Sequence, residues 1–481
     1  MIKTKTKYYK RTHPFTMLTH LKSSVILLLI PVIQQILFKP EGLLELISTM
    51  GFNAVYVIAV ISYAIASYRC YTYRVDEGGI QIKNGFFIKR HFTVPFDRIQ
   101  TINFHKNIFA SLFGAVKVSF DTPAGTSRSY DISGFFSRKH AKYMFSKIEN
   151  EHTPKYVYKS SNMCMLLMSA FWSNPATGLL FAAPFISKMG DIVSEEIKEL
   201  LYYSMNFVGQ LAANIISPAA ATLANILVFG WTVSMLVQFF RYGRFSAYRQ
   251  GEFVVISRGI INKNVSFTKA DHIAAVTINQ SLFMHILNLY SSGIFTIGSG
   301  KLKGDKSLII AAEKKDKLYN SLKNIIKFSA KERKSVYPKK NTLISYICVP
   351  MWVTIATVML IVVVDYFSVI NEFFIMVMIF AVIPLLWWIF FRIFAHRYSH
   401  LAINNKYLIA CGYNIWTLKK YLIPFDKIQY ISIKQSIFQK RKGTCDVQVY
   451  LYFEKRACQT VKHIPKEQAE EIVAYVQNKI N

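Results

Sequence analysis

Runs of apolar residues alternate along the chain with segments whose apolar positions follow the period of strands or of amphipathic helices. Each apolar run has roughly the 20 residues that a helix needs to cross a hydrocarbon core, and the six runs cover about 23–38, 47–67, 162–187, 219–240, 342–364 and 372–394. The runs come in three pairs, so the pattern predicts six transmembrane helices in three hairpins. The connection between the third and fourth runs holds a further apolar stretch, 200–216, which suits an interfacial or a re-entrant segment.

The segment that follows each hairpin has a different pattern. Short alternating stretches separated by glycines predict several antiparallel strands, and each segment ends in apolar residues at helical spacing, such as Ala469, Ile472, Val473 and Val476. The predicted fold is thus α+β, with a module of strands and one C-terminal helix after each hairpin. The predicted parts of the chain are a basic arm with hairpin 1 (1–67), module 1 (68–152), hairpin 2 (160–240), module 2 (241–330), hairpin 3 (341–394) and module 3 (395–481).

One short motif recurs in all three modules. Val94-Pro95-Phe96-Asp97-Arg98-Ile99-Gln100 returns as Ile423-Pro424-Phe425-Asp426-Lys427-Ile428-Gln429 and, in a weaker form, as Thr268-Lys269-Ala270-Asp271-His272-Ile273. Because Asp side chains readily bind nearby backbone groups in turns, we interpret the motif as a folding element whose Asp stabilises a turn. Its structural positions are Pro95, Asp97, Ile99, Asp271, Ile273, Pro424, Asp426 and Ile428.

A second shared run begins seven residues after the Ile of each motif. It reads Lys106-Asn107-Ile108-Phe109 in the first module, Gln280-Ser281-Leu282-Phe283 in the second and Gln435-Ser436-Ile437-Phe438 in the third. With the motif, this run resembles the bacterial pleckstrin-homology (PH) domain family found in membrane proteins of the YdbT type. The resemblance implies a PH-like β-barrel or sandwich with a C-terminal capping helix in each module. It also implies no enzymatic activity, and a smaller one-module PH-domain relative as a membrane-protein partner.

The composition is typical of a membrane protein. The chain has 481 residues, of which 52% are hydrophobic and only 18% are charged, which is too apolar for an ordinary soluble protein. Its formal net charge is +31, and the basic excess lies outside the loops of the predicted hairpins, which are net acidic. Because Lys and Arg collect on the cytoplasmic side of spans, the charges predict a multi-pass plasma-membrane protein with its N-terminus and all three modules in the cytoplasm.

Clusters of basic residues are candidates for contact with the anionic headgroups of the inner leaflet. The candidate residues are Lys331, Arg333, Lys334, Lys339, Lys340, Lys440, Arg441 and Lys442. The alternative interpretation is the ordinary bias of positive charge toward the cytoplasm, together with solvated faces. Nucleic acid is the other large anionic partner, but the modules contain no RNA-binding sheet motif and no zinc-finger spacing. We therefore expect membrane lipids and no nucleic acid as partners.

No catalytic, cofactor or metal site is predicted. His396 and His400 have the i, i+4 spacing of a metal pair, but no third ligand stands nearby, so an interfacial role is favoured. The function we expect is non-enzymatic: binding of the anionic inner leaflet or of membrane-protein partners, in envelope maintenance or in defence against stress and antimicrobial peptides. The alternative is a transport or lipid-flipping component with the modules as cytoplasmic gates. Transporters usually carry ionisable groups at the midplane, and the interiors of the six runs have none.

Overall fold

A computed structural model gives the fold of the chain and describes residues 9–17, 43–76, 78–85, 88–122, 132–148, 153–174, 177–178, 218–296, 307–328, 332–366, 372–414, 417–451 and 459–480. These residues belong to two compact units. The first is Met1–Pro154 with Gln250–Lys269, and the second is Lys155–Arg249 with Ala270–Asn481. The boundary between the units therefore falls inside the middle repeat.

The strands are short, and some, such as β12, are buried along nearly their whole length. They are β1 (Lys10–Arg11), β2 (Thr72–Val75), β3 (Gly79–Asn84), β4 (Arg90–Pro95), β5 (Thr101–Lys106), β6 (Ala115–Asp121), β7 (Ile132–Ser137), β8 (Val157–Lys159), β9 (Ser246–Gln250), β10 (Phe253–Arg258), β11 (Lys263–Lys269), β12 (Ile273–Ser281), β13 (Leu289–Thr296), β14 (Ser307–Lys314), β15 (Lys334–Val336), β16 (His400–Ile403), β17 (Tyr407–Asn414), β18 (Thr417–Pro424), β19 (Ile428–Lys434), β20 (Thr444–Leu451) and β21 (Gln459–Pro465).

The helices fall into three kinds. Long apolar helices alternate with five- or six-residue helices and with the amphipathic helix that ends each repeat. In chain order they are α1 (Leu43–Cys70), α2 (Ile108–Leu112), α3 (Arg138–Ile148), α4 (Asn162–Trp172), α5 (Pro218–Tyr242), α6 (Leu282–Ile286), α7 (Lys315–Ile326), α8 (Leu343–Tyr366), α9 (Glu372–Tyr398), α10 (Ile437–Lys442) and α11 (Lys466–Ile480). The C-terminal helices that the apolar spacing predicts are thus present as α3, α7 and α11.

In the first unit, strands from two different repeats share one sheet. One sheet has the order β1-β2-β3-β4, and the other includes five strands in the order β7-β6-β5-β11-β10. Strand β5 of the first repeat pairs antiparallel with β11 of the second, from Thr101 opposite Thr268 to Lys106 opposite Lys263. The sequence predicted the strands of each module, and the structure adds that sheets continue across repeat boundaries.

The second unit repeats this arrangement. Strand β8 pairs with β9, and a seven-stranded sheet has the order β14-β13-β12-β18-β17-β16-β15. Strand β12 of the second repeat pairs antiparallel with β18 of the third, from Val276 opposite Leu422 to Ser281 opposite Thr417. A three-stranded sheet, β19-β20-β21, completes the third repeat.

The core of the third repeat lies between these sheets and the last helix. Helix α11 contributes Ala469, Ile472 and Val476 to a cluster that includes side chains of β16 to β21. All three residues are at most 1% exposed. The helix therefore caps the sheets, as the PH-like fold requires.

Each copy of the recurring motif forms a short 3-10 turn between two strands. The turns are Phe96–Arg98, Ala270–His272 and Phe425–Lys427. The Ile that follows each turn is buried, namely Ile99, Ile273 and Ile428, whereas Pro95 and Pro424 are half-buried. The motif thus connects strands that belong to different sheets, and its Ile is buried.

The aspartates of the motif do not have the role that the sequence suggested. Asp97, Asp271 and Asp426 are all exposed, and the Asp426 carboxylate lies 3.2 Å from the Lys427 ammonium. Within the described residues, no backbone N–H donates to any of the three carboxylates. The hydrogen bonds of the turn are made by the backbone itself, for example Ile99 N–H to the Phe96 carbonyl at 3.2 Å.

The prediction of six transmembrane helices in three hairpins is wrong. Among the residues that the structure describes, one helix, Lys340–Val363, is long and apolar enough to cross a membrane. The apolar stretches Ala54–Cys70, Asn162–Trp172 and Ile226–Tyr242 are shorter. Apolar run length does not show where a helix stops. Helix α4 ends at Trp172 because Ser173 is already extended and Asn174 precedes a proline, which disfavours helical backbone.

Other expected segments lie outside the described residues. The first apolar run, 23–38, and the stretch 200–216 both fall there. Helix α9 is described and packs against α8.

The burial pattern predicts that Ile428→Ala lowers the free energy of unfolding by about 2–5 kcal/mol, because it leaves a cavity in the core. Asp426→Ala should change it by less than about 0.5 kcal/mol, since that side chain is exposed. Thermal melts of the purified full-length variants measure both changes. A larger loss in Asp426→Ala than in Ile428→Ala would restore the turn-stabilising role of the aspartate.

Candidate membrane interface

The short helix α10 holds two large apolar side chains out of the fold. Its first turn is fixed by a capping box, in which Ser436 Oγ accepts from the Gln439 amide at 3.3 Å and Gln439 Oε1 accepts from the Ser436 amide at 2.8 Å. Gln439 is itself buried and donates to Asp446 Oδ1 at 2.6 Å. With the helix anchored on this face, Ile437 and Phe438 on the other are each 78% exposed.

Equivalent helices in the first two repeats show the same exposure. Phe109 and Phe113 of α2 with its C-cap, and Phe283 and Ile286 of α6, are among the most exposed apolar residues of their repeats. A residue with positive φ follows each helix within two positions, at 74° for Gly114, 52° for Asn288 and 61° for Gly443, as is common just after helix C-termini. Exposed Phe and Ile side chains on rigid helices are typical of surfaces that bind membranes or other proteins.

Three basic residues follow the apolar pair on α10. Lys440, Arg441 and Lys442 are exposed and occupy the last turn of the helix. The Lys339 ammonium donates to the Lys442 carbonyl at 3.1 Å, and the Lys442 ammonium donates to Ser345 Oγ at 3.0 Å. Two basic clusters that are about a hundred positions apart in the sequence therefore meet beside the first turn of α8.

The remaining predicted contact residues lie elsewhere or outside the described chain. Arg333 donates to Asn405 Oδ1 at 3.4 Å, and the Lys334 ammonium is 2.5 Å from the Glu471 carboxylate. Both line a cavity of about 230 Å³, together with Ile403, Glu471, Ile472 and Tyr475. Because Glu471 already neutralises one of the two cations there, this cavity is a poor site for an anion. Lys331 lies outside the described residues.

Helix α8 begins directly after Lys340 and Thr342, which form a 3-10 turn. Only 17% of its 18-residue apolar segment is buried, and large side chains such as Ile344, Trp352 and Met359 are exposed. A soluble protein rarely exposes so continuous an apolar surface. The cationic end of α10 thus lies at the start of a helix whose surface suits lipid.

His396 lies in the last turn of α9 and His400 begins β16, and the two rings contact different partners. His396 Nε2 lies 3.1 Å from the Lys339 carbonyl and 3.3 Å from Thr342 Oγ1. His400 Nε2 lies 3.3 Å from Glu332 Oε1. Since the two rings have separate partners, they do not form the pair that their spacing allows. Within the described residues, no three His, Cys, Asp or Glu side chains are grouped as metal ligands would be.

Glu332 is the centre of a half-buried ionic cluster behind the interface. Its Oε1 also accepts from the Lys420 ammonium at 2.5 Å, and its Oε2 accepts from Ser335 Oγ at 2.8 Å. The hydrogen bond from His400 holds the pKa of Glu332 well below its usual range. Burial lowers the pKa of His400, but its interactions with Cys411 and Glu332 outweigh burial and raise that pKa to about 10. His400 is therefore a cation at neutral pH.

Sequence reasoning missed the apolar half of this surface. The run Gln435-Ser436-Ile437-Phe438 was interpreted only as a shared run that carries the family resemblance. The available signal was a helix-capping Ser followed by two adjacent large apolar residues and then by charges. Adjacent positions on so short a helix cannot both face the core.

Comparison with known proteins finds the same family model in all three repeats. The family model described as Bacterial PH domain matches residues 25–152, 204–324 and 353–480, and each matched segment contains one copy of the motif. The chain is also 21% identical over 345 residues to the UPF0699 transmembrane protein YdbT of Bacillus subtilis (strain 168). That similarity covers 65% of this chain and 68% of the relative. Neither comparison is with an enzyme family.

The His400 pKa predicts how stability depends on pH. Because the pKa is raised on folding, the contribution of His400 is complete below about pH 6.5 and is lost as pH rises through about 10. Each displaced pKa unit corresponds to about 1.4 kcal/mol. Thermal melts of the wild type should show a falling midpoint between pH 7 and pH 10, and His400→Gln should lack this part of the slope. Parallel curves for the two proteins would contradict the prediction.

Proposed function

The chain belongs to the bacterial PH domain family and is membrane-associated, and from this premise we propose that its repeats bind the anionic cytoplasmic surface of the plasma membrane. One observation carries the proposal. Exposed Ile437 and Phe438 lie beside Lys440, Arg441 and Lys442 at the start of the one described helix that suits a bilayer.

The chemistry of this surface matches both parts of a lipid interface. Apolar side chains of interfacial helices enter the boundary between headgroups and acyl chains by about 5–10 Å. Each Lys or Arg near an anionic leaflet contributes about 1 kcal/mol. In the proposed geometry, Ile437 and Phe438 enter that boundary while the basic residues contact lipid phosphates.

The orientation follows from the same charges. Helix α8 has 24 residues, which extend about 36 Å at about 1.5 Å per residue and so suffice for a hydrocarbon core of about 30 Å. The basic cluster lies at its N-terminal end. Because basic residues collect on the cytoplasmic side, we place α10 and the third repeat in the cytoplasm.

The proposal extends to physiology. A cationic surface held at the inner leaflet binds the same headgroups that cationic antimicrobial peptides bind. We therefore propose a role in envelope maintenance or in defence against such peptides, with a membrane-protein partner. No observation on the described residues favours the transport or lipid-flipping alternative, which needs several spans around a path.

Neutralising the basic cluster tests the electrostatic part. The triple variant Lys440→Gln, Arg441→Gln and Lys442→Gln should weaken binding of anionic lipid by roughly 3 kcal/mol, at about 1 kcal/mol for each charge. The measurement is the amount of anionic lipid that stays with the purified full-length protein, determined by mass spectrometry. The matched control removes the same charge from exposed Lys314, Lys315 and Lys323. Equal lipid loss in both variants would contradict a site at α10.

A fluorescence reporter tests the apolar part. In Phe438→Trp, the added indole should be quenched by lipids brominated near the headgroup, after subtraction of the wild-type signal. High salt should leave an inserted indole quenched, but it should release a side chain held only by charge, since screening acts over about 8 Å at physiological ionic strength. An indole quenched only by a water-soluble agent would show that Phe438 faces water or a protein partner.

A further inference from the structure

The two pairings between repeats have the same register. In the first, Ile102 lies opposite Phe267; in the second, Val276 lies opposite Leu422. Both pairs have the same position relative to the motif. The first member is the third residue after the buried Ile of one motif, and the second member is the fourth residue before the Asp of the motif in the next repeat. One rule of assembly therefore operates twice in the chain.

That rule leaves one strand without a partner at each end of the series. Strand β4 of the first repeat corresponds to β11 and β18, but it pairs with β3 alone. Strand β19 of the third repeat corresponds to β5 and β12, but it pairs with β20 alone. Within the residues that the structure describes, neither strand has a second neighbour.

Residues of β4 and β19 are more exposed than residues at equivalent positions of the strands that pair between repeats. Tyr430 of β19 is 50% exposed, while the equivalent Thr101 and Ala275 are 6% and 0% exposed. Phe92 of β4 is 41% exposed, while the equivalent Tyr421 is 5% exposed. Tyr430 and Phe92 are thus more exposed than Thr101, Ala275 and Tyr421 at the equivalent paired positions, while Ser266, which is the equivalent of Phe92 in β11, is half-buried.

An open strand edge presents unpaired N–H and C=O groups and is a template for another strand. The two edges here complement each other. Inside the chain, the strands equivalent to β19, which are β5 and β12, pair with the strands equivalent to β4, which are β11 and β18. We propose that β19 of one copy of this chain pairs antiparallel with β4 of a second copy, in the register of the internal pairings. Ser432 then lies opposite Phe92, and Ile431 lies opposite Thr93.

The contact is head-to-tail, so it joins copies into a closed ring or an open row. It also places Lys434 opposite Arg90. A like-charge pair of this kind is already present in the first internal pairing, where Lys106 lies opposite Lys263. The basic charge of the edges is therefore compatible with pairing.

Disulfide cross-linking of full-length protein in membranes tests the register and the direction together. Two differently tagged variants, Phe92→Cys and Ser432→Cys, are produced in the same cells and oxidised. We expect a species of twice the monomer mass that carries both tags, because paired Cα atoms in antiparallel strands lie within the range that a disulfide bridges. Each variant produced alone should stay at the wild-type level, which accounts for the native cysteines.

A chain with both substitutions should give a series of multiples of the monomer mass that collapses on reduction. The control combines Ser432→Cys with Thr93→Cys, whose side chain points to the opposite face of β4, and should show no increase. Three results would overturn the proposal: equal cross-linking of the pair and the control, dimers of Ser432→Cys alone, or a link only within the doubly substituted chain. Because Phe92 is exposed and Ser432 is not in the core, unchanged melting temperatures should accompany the expected result.

Discussion

The backbone hydrogen bonds between neighbouring repeats are the interaction on which the rest of the structure depends. A strand edge left open in a protein is a liability, and this chain satisfies its internal edges by pairing β5 with β11 and β12 with β18. The motif turn lies between the strand that pairs backward along the chain and the strand that pairs forward. The position of the turn determines which sheet each half of a repeat joins, and the Ile that follows the turn is buried.

Much of the local structure was predictable from the sequence. Alternation and helical spacing predicted antiparallel strands and a final amphipathic helix in each repeat, and the shared motifs indicated the family that the comparisons confirm. The pairing across repeats was not predictable, because a strand with the same alternation of apolar and polar residues can pair with a strand of its own repeat or of another repeat. The prediction of six membrane helices was wrong, and the apolar run 162–187 illustrates one reason, because helix α4 ends inside it at Trp172.

The candidate interface was half predictable. Basic clusters at Lys339–Lys340 and Lys440–Lys442 stand out in the sequence, but their meeting at the start of α8 depends on the fold. The exposure of Ile437 and Phe438 depends on it as well, because burial of Gln439 turns the helix outward. A polar residue in the core and two apolar residues at the surface reverse the usual inference from residue type, and such reversals are typical of functional surfaces.

The pairing between repeats also changes what counts as a separable part of this protein. The middle repeat gives β11 to the repeat before it and β12 to the repeat after it, so a fragment cut at its sequence boundaries loses a neighbour on both sides. Stable fragments should instead begin and end at matching points of adjacent repeats. The same pairing allows the number of repeats to change during evolution. Each duplicated repeat brings one edge of either kind, so the number of repeats can grow or shrink while the two ends remain complementary.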